Sequence, residues 1–304
     1  MMLERLSPSV LDLLPGSTIS MSLEGWTLRL LQTRGRRVLM WANIPLSPGL
    51  LKDGVVNDPM ALGQVIGDTF KAGGLSRRKV VCAVNVPQAV SRILTVPMLK
   101  AANLARAVAI EIRRLLPAAQ QDSFVHWHPV EGRSLTQQQI YVLTVPKEPV
   151  LAMVSALKAG GIQPNSMDLR TLALARSVNQ KDAILANLEA NSADVVLIVD
   201  DIPVMMRSIY LGDEPSSIAS AQDRLLGELS RSLSFYNDTN RANPLAPTVP
   251  VYLTGDLASD PDLVAPVEDV TGHPVSTPEP PVVCPADFPA SQYMVNIGLA
   301  LKEL

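Results

Sequence analysis

A run of three short strands followed by a helix occurs twice in this chain, and that repeat constrains the fold more than any other feature. Residues 18–23, 26–33 and 36–45 carry apolar side chains at many alternate positions between short turns, which predicts a strand meander. Asp58 and Pro59 then open a helix that runs to about Lys71, the first as N-cap and the second in the first turn, and Gly73-Gly74 ends it. After residue 182 the order returns. The stretches AILANLEA, ADVVLIV and VMMRSIYL predict three strands, the latter two joined by an Asp200-Asp201 turn, with a helix over about 219–238 behind them. Even the first loops correspond, Ser22-Leu23-Glu24 in one copy and Asn187-Leu188-Glu189 in the other. A duplicated unit in a chain of 304 residues predicts two related lobes facing a cleft.

The region between the copies has a different texture. The apolar run KVVCAVNV (79–86) suits a strand buried on both faces. A strand over 89–96 is stopped by Pro97, and a helix over about 100–116 places Leu104, Val108, Ile112 and Leu116 on one face before Pro117. Strands at 124–130 and 139–145, a helix at 148–159 and a strand–helix pair at 166–178 complete it. Beyond the second copy come a strand at 249–256, a proline-rich irregular segment at 272–289 and a closing helix over about 290–303.

Composition narrows the function classes. A hydrophobic fraction of 47% with 18% charged residues is that of a folded globular chain. The net charge of −3 and the lack of a long basic run argue against nucleic acid as a ligand, because phosphate neutralisation needs clustered Lys and Arg. Two distant cysteines, Cys82 and Cys284, give no disulfide framework or zinc spacing. With no uninterrupted apolar stretch of membrane-spanning length and a proline-broken, acid-containing start, a cytoplasmic location is expected. His126 and His128 share one face of a strand without a third metal ligand, and Asp200-Asp201 reads as a turn pair rather than an acid/base dyad.

Five stretches in order resemble the PilM family, the actin-like component of type IV pilus assembly related to FtsA: IPLSPGLLKDGVVNDPMALGQVI, SRILTVPMLKAANLARAVAIEIRRLLP, VPKEPVLAMVSALKAGGIQPNSMDLRTLALARSV, VYLTGDLA and VNIGLALKEL. The resemblance implies an α/β, actin-like (ribonuclease H-type) two-lobed fold with a small α/β subdomain inserted in the first lobe. It divides the chain into a leader (1–17), a first lobe (18–85 and 165–180), an inserted partner-binding subdomain (86–164) and a shortened second lobe (181–304). The segment 212–219 is shorter than its family counterpart.

Members of this family hold ATP and magnesium on two hairpin loops and an adenosine-side loop. The first is similar to G-x-D-x-G-x-x-x-x-K; laid on it, this chain has Ser20, Ser22, Glu24 and Arg29. The second is similar to D-x-G and here reads Asn187-Leu188-Glu189, while the glycine-rich third keeps only Gly255, followed by Asp256. Glycines let backbone N–H groups approach phosphate, and aspartates position the magnesium. Both kinds of group are replaced. Two unit charges about 5 Å apart at an effective dielectric of about 20 repel by roughly 3 kcal/mol, so Glu24 and Glu189 disfavour phosphate. Arg29 is the one residue that favours it, though its mid-strand position is equally compatible with the surface. The expectation is a protein that is not an enzyme and has lost the ATP and magnesium of its family.

The resemblance further implies a scaffold beneath the inner membrane that binds a short N-terminal peptide of the single-pass protein PilN, alongside other pilus platform proteins and with homo-oligomers possible. The groove would lie beside the inserted subdomain, along strand 89–96 and helix 100–116, lined by Leu94, Val96, Leu104, Val108 and Ile112; for most of these residues the ordinary reading is that subdomain's core. Leu11-Asp12-Leu13-Leu14-Pro15 is similar to the family partner's Ile-Asn-Leu-Leu-Pro; the ordinary reading is a leader that packs on its own first strand, the alternative a competitor for the groove or a dimer link. The other classes are an active actin-like ATPase, which needs the lost glycines and aspartates, and the cytoplasmic component of a type II secretion platform, which normally continues into a transmembrane helix.

Overall fold

A computed structural model describes residues 16–115, 122–130, 136–212 and 218–303. The leader motif Leu11–Pro15, the helix end at Leu116-Pro117 and most of the 212–219 segment lie outside them.

The first meander forms as expected: β1 (Ser17–Glu24), β2 (Thr27–Arg34) and β3 (Arg37–Pro45) pair antiparallel in sequence order. A two-residue-strand hairpin, β4 (Leu51–Lys52) and β5 (Val55–Val56), precedes α1 (Pro59–Ala72). The Asp58 carboxylate accepts from the Met60 and Ala61 amides at 3.1 and 3.0 Å, Pro59 occupies the first turn, and Leu62, Ile66 and Phe70 are buried. Strand β6 (Val80–Val84), buried at every position, pairs parallel with β1. Next come β7 (Val90–Pro97), α2 (Ala101–Leu115), β8 (Ser123–Val130) and β9 (Gln137–Pro146), then α3 (Lys147–Ala159), β10 (Ser166–Leu169) and α4 (Arg170–Val178). The second copy supplies β11 (Ala183–Leu188), β12 (Ser192–Val199), β13 (Ile202–Tyr210) and α5 (Ile218–Thr239). After it come β14 (Val251–Thr254), a 3-10 turn at Asp256–Ser259, α6 (Val264–Thr271), β15 (Val275–Ser276) and α7 (Met294–Leu301).

The repeat is exact at the level of topology. One five-stranded sheet runs β3-β2-β1-β6-β10 and the other β13-β12-β11-β14-β15, each with an antiparallel meander followed by two parallel strands. Two sheets of this kind facing one another make the actin-like, two-lobed α/β fold.

Packing redraws two boundaries read from the sequence. Helix α3 packs on α1 and so joins the first lobe rather than the insert. Helix α7, although it ends the chain, packs on α4, β1 and β6. The layers are therefore α1/α3, first sheet, α4/α7, second sheet, α5/α6. The insert is the three-stranded sheet β7-β9-β8 with α2 on one face.

Gly298 makes the α4–α7 contact possible, since a Cβ there would run into the Ala173 carbonyl. Asn296 secures the helix from the other side. Its amide donates to the Ser20 and Arg29 carbonyls at 3.2 and 3.3 Å and accepts from the Ser22 hydroxyl at 2.9 Å.

Candidate functional site: the sealed interlobe hairpins

The two duplicated hairpins meet tip to tip. The turn after β1 holds Gly25 at φ 57°, and a Cβ there would lie 3.4 Å from the Asn191 side-chain oxygen at the tip of the β11–β12 hairpin. The expected loop residues converge here. Ser20 and Ser22 are buried along β1, with the Ser20 hydroxyl donating to the Leu31 carbonyl at 3.3 Å. Asn187 donates to Asp194 at 3.3 Å and accepts from Thr254 at 2.9 Å. Gly255, at φ 96°, lets the chain after β14 lie against the Leu188 carbonyl, and its amide donates to the Ser291 carbonyl at 2.9 Å.

Arg29 is not a surface residue; it is 1% exposed and crosses the cleft. Its Nη1 and Nη2 donate to Glu189 Oε1 and Oε2 at 2.9 and 2.8 Å. The same nitrogens also reach the Gln292 carbonyl at 2.7 Å and Asp256 Oδ1 at 2.6 Å. A bidentate, charge-assisted fork of this kind holds both partners in one geometry. Burial works against the Arg29 charge, but the acidic side chains around it, Glu189 first and then Glu24 and Asp256, together outweigh burial and hold the guanidinium ionised well above its usual range. Burial likewise pushes the Glu189 carboxyl up, with Arg29 opposing.

A second buried pair lies beside the first. Arg170, the first residue of α4, donates from Nη2 to Asp194 Oδ1 at 2.9 Å and from Nη1 to the Leu23 carbonyl at 3.4 Å. Asp194 also accepts from the Ser208 hydroxyl. Glu24 is fully buried 3.6 Å from Arg170 Nη1, and neither of its oxygens has a hydrogen-bond partner among the described residues. Burial pushes its carboxyl up; Arg170 and Arg29 oppose this, and Asp194 adds to it.

Arg170 and Asp194 were not singled out from the sequence. The signal existed: Asp194 lies seven residues after Asn187 as Arg29 lies seven after Ser22, and the two stand at the same register position of the duplicated hairpins. A charge inside the apolar run ADVVLIV also calls for a buried partner.

The five residues nominated for a partner groove are placed differently from that expectation. Leu94, Val96, Leu104, Val108 and Ile112 pack on one another and on Ile140 and Val142 as the core of the insert. Helical spacing marks the buried face of α2, and here the insert's own sheet covers that face. Leu94 alone also borders a cavity of about 1270 Å³ on the other side of β7, between the insert and β13 and α5 of the second lobe. Ile93, Val204, Met205, Phe235 and Tyr236 line it, and the Ser91 hydroxyl donates to the Val204 carbonyl at 3.3 Å where the two sheets come together.

Other chemistry stays sparse. The His126 and His128 rings are 6.1 Å apart on an exposed face of β8, and no group of three metal-ligating side chains occurs among the described residues. Cys82 is buried in β6, and burial pushes its thiol up to about 12. No helix among the described residues is long and apolar enough to cross a membrane.

Comparison with known proteins fits this geometry. The model of the family described as type IV pilus assembly protein PilM matches residues 27–218. No curated protein matches the sequence. Among solved structures, the chain is similar to one titled "PilM-PilN type IV pilus biogenesis complex", at 21% identity and a TM-score of 0.70 over 94% of this chain and 98% of that one. It is also similar to the ethanolamine utilization protein EutJ from Carboxydothermus hydrogenoformans, at 13% identity and a TM-score of 0.52 over 95% and 91% of the two chains. The family match covers well over half of the sequence, so this chain belongs to the PilM family of type IV pilus assembly proteins.

Proposed function

We propose that this PilM-family protein is a peptide-binding scaffold of a type IV pilus inner-membrane platform and does not turn over ATP. The observation that carries the reading is the sealed cleft. Where the family resemblance puts nucleotide phosphates, Gly25 stands so near the opposite hairpin that a Cβ on it would meet the Asn191 side chain, and the four terminal N–H groups of Arg29 are occupied by this chain's own acceptors. Glu24, Glu189 and Asp194 fill the remainder with buried carboxyl groups. Such residues do not fit a polyphosphate, and no step of a reaction is assigned to one. The test is calorimetric titration with Mg-ATP to millimolar concentration. No heat is expected; saturable binding would overturn the reading.

The partner follows from the family and from the cavity beside β7. A PilM–PilN complex is known for a relative, and a PilN-like membrane protein is the partner we assign here, holding this chain peripherally at the inner membrane through a short extended peptide. β7 and β13 are edge strands of their own sheets, and they flank a cavity lined both by apolar side chains such as Ile93, Met205 and Phe235 and by charged ones such as Arg92, Arg207 and Glu228, an arrangement that suits strand addition with side-chain pockets. Phe235 on the cavity wall is half exposed, so Phe235→Asp is expected to leave the fold intact, which circular dichroism checks. The substitution should abolish binding of the cognate partner's N-terminal peptide, whereas Met60→Asp on the far side of the first lobe should not. Equal binding by both variants would remove the cavity from the reading.

A further inference from the structure

We propose that Glu24 carries a proton whenever the two lobes are closed on each other, so that closure takes up a proton and parting the hairpins releases one. The argument rests on how six charged side chains are divided across the cleft. The first lobe contributes Arg29 from β2, Arg170 from α4 and Glu24 from β1; the second contributes Glu189 and Asp194 from its hairpin and Asp256 from the turn after β14. Two guanidinium groups thus face four carboxyl groups. Three of the four are directly bonded: Glu189 by both oxygens to Arg29, Asp256 to Arg29 and Asp194 to Arg170. Glu24 is the one left over.

Its surroundings offer an ionised carboxylate little. The Arg170 nitrogen nearest it, 3.6 Å away, already donates to the Leu23 carbonyl, and the other terminal nitrogen is taken by Asp194. The Ser22 hydroxyl beside it donates to Asn296 at 2.9 Å. Asp194 and Glu189 lie close enough to repel it. A carboxylate with no hydrogen bond in a site with no water access is costly, and the neutral acid is the form such a site holds. Opening the cleft would return Glu24 to water, where a carboxyl ionises near pH 4.3. The sign follows. A group whose pKa is higher in the closed state stabilises closure fully below its open-state value, and that stabilisation is lost as pH rises through the closed-state value.

The experiment compares the full chain with its Glu24→Gln variant, an isostere of the neutral acid, by thermal unfolding between about pH 5 and about pH 8. Alongside it, hydrogen exchange is measured at the β1–β2 and β11–β12 hairpin amides. The wild-type Tm should fall across this range, with hairpin protection falling in parallel. The variant should fall less and stand about 2–4 °C above wild type at the alkaline end. A variant less stable than wild type at every pH, with an unchanged slope, would mean that Glu24 is ionised and pairs with Arg170, and would overturn the proposal. Should the variant fail to fold, wild-type calorimetry in two buffers of different ionisation enthalpy decides the matter. Release of a proton on unfolding near neutral pH is expected, and none would overturn it.

Discussion

The hairpins β1–β2 and β11–β12 occupy equivalent places in two copies of one sheet, yet they carry opposite charge at equivalent positions. Ser22 faces Arg29 in the first and Asn187 faces Asp194 in the second, with Glu24 and Glu189 closing each strand. Each lobe therefore lacks what the other supplies: Arg29 finds Glu189 across the cleft, and Asp194 finds Arg170. The duplicated topology sets the two loops face to face, and the different residues at equivalent positions make them a mutual clasp. The two loops hold each other across the cleft.

The comparison can be broken by removing one charge at a time. Arg29→Met should have the largest effect, about 3–5 kcal/mol in denaturant unfolding, because it leaves Glu189 buried without its partner. Adding Glu189→Met should recover most of that loss, since apolar replacement of a whole buried pair is often neutral. Failure of the double variant to recover would mean that the two residues act separately. Asp194→Asn on the opposite lobe should cost less, about 2–3 kcal/mol, because the amide oxygen still accepts from Arg170 and Ser208 but without charge, while its NH2 meets the Asn187 amide that donates to Asp194.

Two glycines sharpen the contrast. Gly255→Ala should cost about 2–3 kcal/mol, combining a strained positive φ with collision against the Leu188 carbonyl. Gly25→Ala should cost about 1–2 kcal/mol, because its φ is left-handed but its nearest neighbour, Asn191, is at an ordinary contact distance. Equal losses would show that conformation, and not the closeness of the second hairpin, sets both. The smallest effect belongs to Asp200→Ala. The Lys181–Asp200 pair at 3.0 Å stands in solvent, and its removal should leave Tm unchanged.

Local structure was largely legible from pattern. The N-cap at Asp58, the buried strand around Cys82, the buried face of α2 and the turn at Asp200-Asp201, where both residues have positive φ, all follow from signals a few residues long. The site was legible in part. Ser20, Ser22, Glu24, Asn187, Glu189, Gly255 and Asp256 do come together, because the repeat and the family resemblance place them on facing loops. The groove residues show where pattern stops. Helical spacing identified which face of α2 is buried but not what covers it, and the covering surface is the insert's own sheet.

The sequence by itself therefore determined the elements, their duplication and which residues stand on the two facing loops, since each of these is a property of short stretches or of their order. Only the tertiary structure decided that Arg29 is a buried clasp, that Arg170 and Asp194 belong with it and that the final helix returns to the first lobe. Those facts depend on contacts between residues as far as 276 positions apart, as in the Asn296–Ser20 bond. Whether a charge in a strand faces water or a partner is set by what the rest of the chain lays over it, and no local period records that.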